Sequence, residues 1–553
     1  MGKRMRQRRI VVGSIAVVAV AALAGCASSS SGGGGATSAA AAGTSSSAGA
    51  APSSAAAGGA DPNKSLVVDT TFNLKTLDPG REFETTGNLI DRALYSTLLT
   101  FTGSDVKKPV PDVAESYTAS ADGKTYTFKL NSKAVFSDGT PVTSADVLFS
   151  LNRVKALKGN PSFLMDGITV TAPDPATVVL TSATPNPSIP FIVPNPALGI
   201  LNSKAVTAAG GTDADGADKS DKAETALNTA SQGSGPYTLT SFSTTSQVVL
   251  TANPKYWGTA PTYGKVVVRN VQSNVQKLNV TKGESQLALD LSPTQADGMS
   301  GVQVINGSSP NVFFVLMNSD PKVSATAANK DFQDAVRYGI DYDGLVTLAG
   351  KGAAQAPGVV PSMFLGSLPA SSAIKRDVAK AKASLAKSGI ANPTVDIGYP
   401  TDFASNGISF GDLAARVQAN LKEVGITVNL KGSSVQTALA DYRGGKEQMG
   451  LWYWGPDYPD PGDYLVFLPG QLLGKRANWA KGSDAALEAL GDQAATTTDD
   501  AKRDDLYKQI QTSLNTSSPF VPLIQPAQII VAGQAVKNVT SNAVWLATLS
   551  ELG

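Results

Sequence analysis

The chain has no histidine and a single cysteine among its 553 residues. Histidine is the usual general base near neutral pH and the commonest transition-metal ligand. Ser-His-Asp and Cys-His catalysis are therefore excluded, as are zinc sites of ordinary composition. One cysteine allows no internal disulfide. Charge of either sign is also scarce in excess: 46 basic against 45 acidic residues give a net charge of +1. Five of the basic residues, Lys3, Arg4, Arg6, Arg8 and Arg9, crowd the first nine positions, and without them the chain carries −4. That balance argues against a nucleic-acid surface. Long apolar runs are missing too, apart from Ile10–Ala22, which is short for a membrane span.

What is present at the N-terminus reads as an export signal. A basic region is followed by the short apolar run and then by Leu23-Ala24-Gly25-Cys26. That tetrapeptide resembles a lipobox, in which the cysteine is diacylated and becomes the mature N-terminus. Residues 1–25 are thus expected to be a lipoprotein signal peptide and Cys26 the lipidated residue. Each buried methylene contributes about 0.8 kcal/mol, so two acyl chains hold a protein firmly on a membrane. Residues 27–60 are almost entirely Ser, Gly and Ala without charge. Such a tract cannot bury a core and is expected to be a disordered tether, with an r.m.s. reach of roughly 30 Å.

The remaining chain is long enough for two or three subdomains. Residues 111–153 are dense in local signals. Asp122-Gly123 and Asp138-Gly139 are turn dipeptides. Tyr126, Phe128 and Leu130 alternate with polar residues, the period of a half-buried strand. Thr143 and Asp146 form a capping box, with Val142 and Val147 as its hydrophobic staple. Val147, Leu148, Leu151 and Val154 then follow one helical face. Upstream, Leu66–Val68 starts a strand, and Asn88–Leu98 predicts a helix with Leu89, Ile90, Ala93, Leu94 and Leu98 inward. Residues 207–231 read as a polar surface insertion. Asp213 and Glu224 have the first-to-twelfth spacing of a calcium loop, but Gly216 is fourth rather than sixth and Ala217 takes a ligand position. A solvated loop is the better reading.

The second half alternates helix and strand. Phe332, Ala335, Val336, Gly339 and Ile340 share a helical face, as do Ile374, Val378, Ala381 and Leu385. Val395, Ile397 and Tyr399 alternate as a strand. Phe410, Leu413, Ala414, Val417, Leu421 and Val424 stripe a long helix ended by Gly425, and Ile426, Val428 and Leu430 alternate again. This is a βαβ unit. Ligands of such sheets sit outside the carboxyl ends of the strands.

Residues 449–468 carry the candidate site. Trp452, Tyr453, Trp454, Tyr458 and Tyr464 are interleaved with Asp457, Asp460 and Asp463, and three prolines stiffen the segment. Aromatic walls and a fixed carboxylate suit an amphipathic cationic ligand such as a peptide amino terminus. The same residues also suit an aromatic structural loop with solvated acids.

Several of these strings resemble one family, the extracellular solute-binding proteins of oligopeptide and dipeptide ABC importers. Residues 111–153 resemble its consensus. Gly233–Tyr237 with Asn253–Gly258 resembles its GTGPY and NPxYWG block, where Tyr256 and Trp257 are expected in the core. Phe332–Ile340, Gln418–Val428 and Pro519–Pro526 resemble further blocks. The resemblance spans roughly residues 65–550 and is poor over 155–230. It implies an α/β, bilobed periplasmic-binding-protein-like fold of the large cluster C type, with an extra subdomain in the first lobe. Lobe I would cover 61–310, with the insert at about 104–231. Lobe II would cover 311–519, and 520–553 would return to lobe I. Closure around the ligand would hinge near 308–318 and 518–528.

The resemblance also implies a role. In peptide-binding members a Trp-x-x-Asp-Tyr element supplies the acid that holds the ligand α-ammonium. Trp454-Gly455-Pro456-Asp457-Tyr458 matches it, so Asp457 inherits that role and Trp454 a place beside the ligand backbone. Tyr458 and Trp452 complete the expected ligand-binding set. Asp460 falls in the same motif and is read as structural. No residue matches the Arg that holds a dipeptide carboxylate in some members. The implied protein is a monomeric, non-catalytic lipoprotein on the extracytoplasmic face of the cell membrane, without cofactor, metal or nucleic-acid partner. It would pass peptides to an ABC permease. A peptide receptor without transport, a binding protein for a non-peptide solute and a secreted hydrolase using carboxylates or Ser-Lys remain as alternatives.

Overall fold

The computed structural model describes residues 60–553. Cys26, the signal segment and the Ser/Gly/Ala tract before residue 60 lie outside the described residues.

Two large mixed sheets organise the chain. The first has seven strands in the order Val302–Ser308, Ala527–Gly533, Leu287–Ala288, Asp61–Thr70, Tyr263–Asn270, Gln247–Ala252 and Tyr237–Phe242. The second has six, in the order Ala354–Gln355, Phe520–Gln525, Val312–Met317, Met449–Trp454, Thr394–Pro400 and Thr427–Ser433. The chain crosses from the first to the second between Ser308 and Val312 and returns between Gln525 and Ala527. Each sheet has its own apolar core, one built on Leu66, Val68, Leu89, Val266 and Ile530, the other on Phe313, Val315, Phe332, Leu413 and Val521. These are the two lobes of an α/β fold.

A third core belongs to a four-stranded antiparallel sheet in the order Ala114–Ala119, Thr125–Leu130, Thr177–Ser182 and Ile168–Asp174. Its strand Thr125–Leu130 buries Tyr126, Phe128 and Leu130, as the period-2 pattern predicts. The helix Ser144–Leu157 packs beside it. Its capping box forms: the Thr143 N–H donates to Asp146 Oδ2 at 2.9 Å, and Val142 and Val147 are buried. The βαβ unit is also present. Thr394–Pro400 and Thr427–Ser433 pair in parallel, joined by the helix Phe410–Val424, whose stripe of Phe410, Leu413, Ala414, Val417, Leu421 and Val424 is buried. Gly425 ends that helix at φ +97°, a left-handed conformation that glycine adopts without Cβ strain.

Three expectations are corrected. The first helix is Thr85–Leu94, not Asn88–Leu98. Tyr95 turns extended at ψ 134°, so Leu98 is buried from the irregular segment after the helix instead. Ile374 lies outside its expected helix, which runs Val378–Lys387. Asp377 caps that helix by accepting the Lys380 N–H at 2.8 Å, and the cap sets the start. Residues 207–231 are more than a solvated loop. Ala217, Ala223 and Leu227 are fully buried. Asp221 accepts Arg153 Nε at 2.8 Å, while Arg153 also makes a bidentate pair with Asp78 at 2.7 and 2.6 Å. A buried arginine between two carboxylates anchors the segment to lobe I.

Gly235 shows why the Gly-Ser-Gly-Pro-Tyr turn needs glycine. A Cβ there would lie 2.5 Å from the Ala93 carbonyl oxygen. The turn seats against the end of the first helix, whose N-terminal side borders the cleft.

Candidate ligand cleft

The strand Met449–Trp454 is central in the second sheet, with Val312–Met317 on one side and Thr394–Pro400 on the other. Beyond its carboxyl end the chain runs through Gly455-Pro456-Asp457-Tyr458-Pro459. This end opens on a cavity of about 510 Å³. Lobe I contributes Phe83, Glu84, Asn88, Asn195, residues 542–544 and Leu546; lobe II contributes Asn311, Phe403, Tyr442, Arg476 and residues 452–459. Trp452, Trp454, Asp457 and Tyr458 all line it. The sequence-predicted set is therefore brought together, at the strand end where an α/β sheet places ligands.

The walls are fixed by packing. Trp452 is buried, stacks on Tyr442 with ring centroids 4.4 Å apart at 13°, and donates its N–H to Glu447 Oε2 at 2.8 Å. Burial pushes the Glu447 carboxyl up to about 8, against the opposing pull of that hydrogen bond. On the other face, Tyr453 stacks on Phe403 at 6.1 Å and 15°. Trp454 donates its N–H to Asp463 Oδ2 at 2.9 Å. Asp463 is buried, and both burial and the neighbouring Asp457 push its carboxyl well above the usual range. Tyr458 packs against the core of the four-stranded sheet. Asn195 Nδ2 donates to the Asp457 carbonyl at 3.1 Å, tying the loop to lobe I.

The three acids of this segment have different fates. Asp460 is fully buried and is bound by Arg503 Nη2 at 2.7 and 2.8 Å, by Ser188 Oγ at 2.8 Å and by the Gly462 N–H at 2.8 Å. Asp463 holds Trp454. The Asp457 carboxylate has no ion-pair or hydrogen-bond partner among the described residues, and burial alone pushes it up to about 6. A half-buried, unpaired carboxylate among aromatic faces can accept charge-assisted hydrogen bonds from an ammonium.

Several lining residues carry no signal in the sequence. Phe83, Asn195 and Phe403 lie far from the 449–468 segment in sequence, Tyr442 and Arg476 lie just outside it, and folding brings all five to the cleft. Tyr256 and Trp257 do not line the cleft; Trp257 packs on the core of the four-stranded sheet. Gly407-Ile408-Ser409-Phe410-Gly411 spells a G-x-S-x-G string, but Ser409 caps the helix Phe410–Val424 by accepting the Asp412 N–H at 3.3 Å. Among the described residues no group of three or more acidic or cysteine side chains is placed to hold a metal ion.

Comparison with known proteins places this architecture. The chain is 27% identical over 495 residues to the probable D,D-dipeptide-binding periplasmic protein DdpA of Escherichia coli, covering 87% of this chain and 92% of the relative. It is 26% identical over 498 residues to di/tripeptide-binding protein 2 of Pseudomonas aeruginosa, covering 84% and 90%. The fold is shared with the ABC transporter substrate-binding protein CtaP of Listeria monocytogenes, at a TM-score of 0.76 and 22% identity over 88% of this chain and 98% of that one. It is also shared with the periplasmic binding protein DppA of Helicobacter pylori in complex with the peptide STSA, at a TM-score of 0.71 and 21% identity over 88% and 97%. Residues 108–471 match the family model of the bacterial extracellular solute-binding proteins, family 5, and the chain belongs to that family.

Proposed function

We propose that this protein is the substrate-binding lipoprotein of an ABC importer, capturing a short peptide in the cleft between its lobes and delivering it to a membrane permease. The observation that carries this reading is the unpaired Asp457 carboxylate at the mouth of an aromatic cleft. It accepts the peptide ammonium, while Trp454 and the rings around it cover the backbone. Tyr458 and Trp452 line the same space. Peptide-binding relatives support this chemistry. The chain works by binding and closure, with the two crossovers between the sheets as hinges. Cys26 anchors it to the outer face of the cell membrane, and the tract after it spaces the lobes from the lipid.

The test is a calorimetric double-mutant cycle. Asp457→Asn preserves shape and removes charge. A carboxylate paired with a ligand ammonium contributes on the order of 2–5 kcal/mol. The substitution therefore weakens peptide binding at least tenfold, while folding survives. N-acetylation of the peptide causes a comparable loss in the wild type, and the two losses do not add, because they remove the same pair. Full additivity moves the ammonium site elsewhere. Cell fractionation of Cys26→Ser checks the anchor: the variant should leave the membrane fraction, and persistence there refutes lipidation.

A further inference from the structure

The two crossovers between the sheets meet a third element. Between the strand Thr394–Pro400 and the helix Phe410–Val424, lobe II raises a short hairpin, Ala404–Ser405 paired with Ile408–Ser409. Its tip is Asn406-Gly407, at φ +51° and +72°. Two consecutive left-handed residues make the tight turn that Asn-Gly favours. This turn lies against the crossovers and against lobe I.

Asn406 bonds both crossovers at once. Its Oδ1 accepts from Asn311 Nδ2 at 2.9 Å and from Ser309 Oγ at 3.2 Å, where the chain passes from lobe I to lobe II. Its Nδ2 donates to Gln528 Oε1 at 3.1 Å and to the Ala527 carbonyl at 3.3 Å, where the chain has returned to lobe I. One amide thus spends its acceptor on one crossover and its donors on the other. The crossovers also bond each other: the Ser309 N–H donates to the Pro526 carbonyl at 3.0 Å, and Gln525 Nε2 to the Ser309 carbonyl at 2.8 Å. Beside Asn406, Gly407 meets lobe I directly. A Cβ there would lie 2.3 Å from the Cβ of Ser292, which caps the lobe I helix Pro293–Ala296.

The same contacts reach the cleft. Asn311 and Gln528 both line it. A Cβ at Gly455 would lie 2.4 Å from Asn311 Oδ1, so the loop that carries Asp457 rests on an amide that Asn406 holds. The hairpin turn itself is local and needs none of these bonds, whose partners lie 95 to 122 positions from Asn406.

We propose that the Asn406-Gly407 turn is the bearing on which the lobes close, and that Asn406 is a positioning residue for ligand capture. It holds the two crossovers to each other and sets the amides of Asn311 and Gln528 at the cleft. The proposal rests on the crossovers being hinges and is independent of what the ligand is. Because the contact lies at the pivot, closure turns the lobes about it with little movement of the bonds themselves. Without it the crossovers flex separately and the lobes sample a wider range of orientations.

Distances between paired spin labels test it in the full-length, ligand-free protein. Cys26→Ser removes the only native cysteine. Leu278→Cys in lobe I and Ala383→Cys in lobe II, both at exposed positions, then report across the lobes. Ala383→Cys with the exposed Lys446→Cys reports within lobe II. Asn406→Gly keeps the left-handed turn and deletes the side chain. It should widen the interlobe distance distribution roughly twofold and leave the lobe II distribution unchanged. Asn406→Asp keeps the acceptor and loses the donors to the second crossover, and it should widen the interlobe distribution as well. A wider lobe II distribution in either variant marks Asn406 as merely structural and overturns the proposal. An interlobe distribution unchanged in Asn406→Asp overturns the bridge between crossovers. If the unsubstituted Asn406 protein has an interlobe distribution broader than its lobe II one, and Asn406→Gly alters neither, the hinges stand and the proposal falls. If the two are equally narrow and Asn406→Gly alters neither, the hinge reading falls with it.

Discussion

Asp457 and Asp460 stand three residues apart on one proline-stiffened turn, yet the fold treats them oppositely. Asp460 is buried and fully engaged, with Arg503, Ser188 and a backbone N–H on its oxygens. Asp457 is half-buried and has no such partner, so its carboxyl sits near 6. The first couples lobe II to Ser188 at the edge of a short helix in the other half of the chain. The second is a vacancy for charge. A binding site needs such a group: desolvated enough to be strong, and unpaired until the ligand arrives.

The largest expected effect breaks the engaged acid. Arg503→Met leaves Asp460 buried without its counter-charge and should cost about 3–5 kcal/mol in denaturant unfolding. A cost below about 1 kcal/mol would show that Asp460 is not held by that pair.

The next effect has the opposite sign. Burial raises the Asp457 carboxyl in the folded state above its value near 4 in the unfolded chain. Its favourable contribution is complete below about pH 4 and is lost as pH rises through about 6. Asp457→Asn should therefore stabilise the ligand-free protein by about 2 kcal/mol at pH 7 and by almost nothing at pH 4. Equal gains at both pH values would break the contrast with Asp460.

Ligand binding sharpens the comparison further. A peptide ammonium on Asp457 favours the charged form and pulls its proton affinity down. Peptide affinity should fall as pH drops below about 6, with net proton release on binding near that pH. Titrations in buffers of different ionisation enthalpy check this, and Asp457→Asn should abolish the release. The smallest effect is at the edge of the engaged site. Ser188→Ala removes one of several hydrogen bonds to Asp460 and should cost about 1–2 kcal/mol.

The sequence alone determined the features whose physics is local. The Thr143 and Asp146 capping box, the stripe from Phe410 to Val424 with its Gly425 stop, and the alternation of Tyr126, Phe128 and Leu130 depend on residues a few positions apart. Each was legible for that reason. So was the concentration of rings and acids in residues 452–463, and the family motif within it. Helix ends set by a competing contact were less legible, as at Tyr95 and Asp377. What tertiary structure decided is which acid stays free. The partner that engages Asp460 lies 43 residues away at Arg503, and the one that fixes the Asp457 loop lies 262 residues away at Asn195. Arg476 lines the cleft with its guanidinium 4.6 Å from the Tyr442 ring, a contact made across space. Charge pairing and ring stacking act across space, and sequence separation carries no trace of them until the chain has folded.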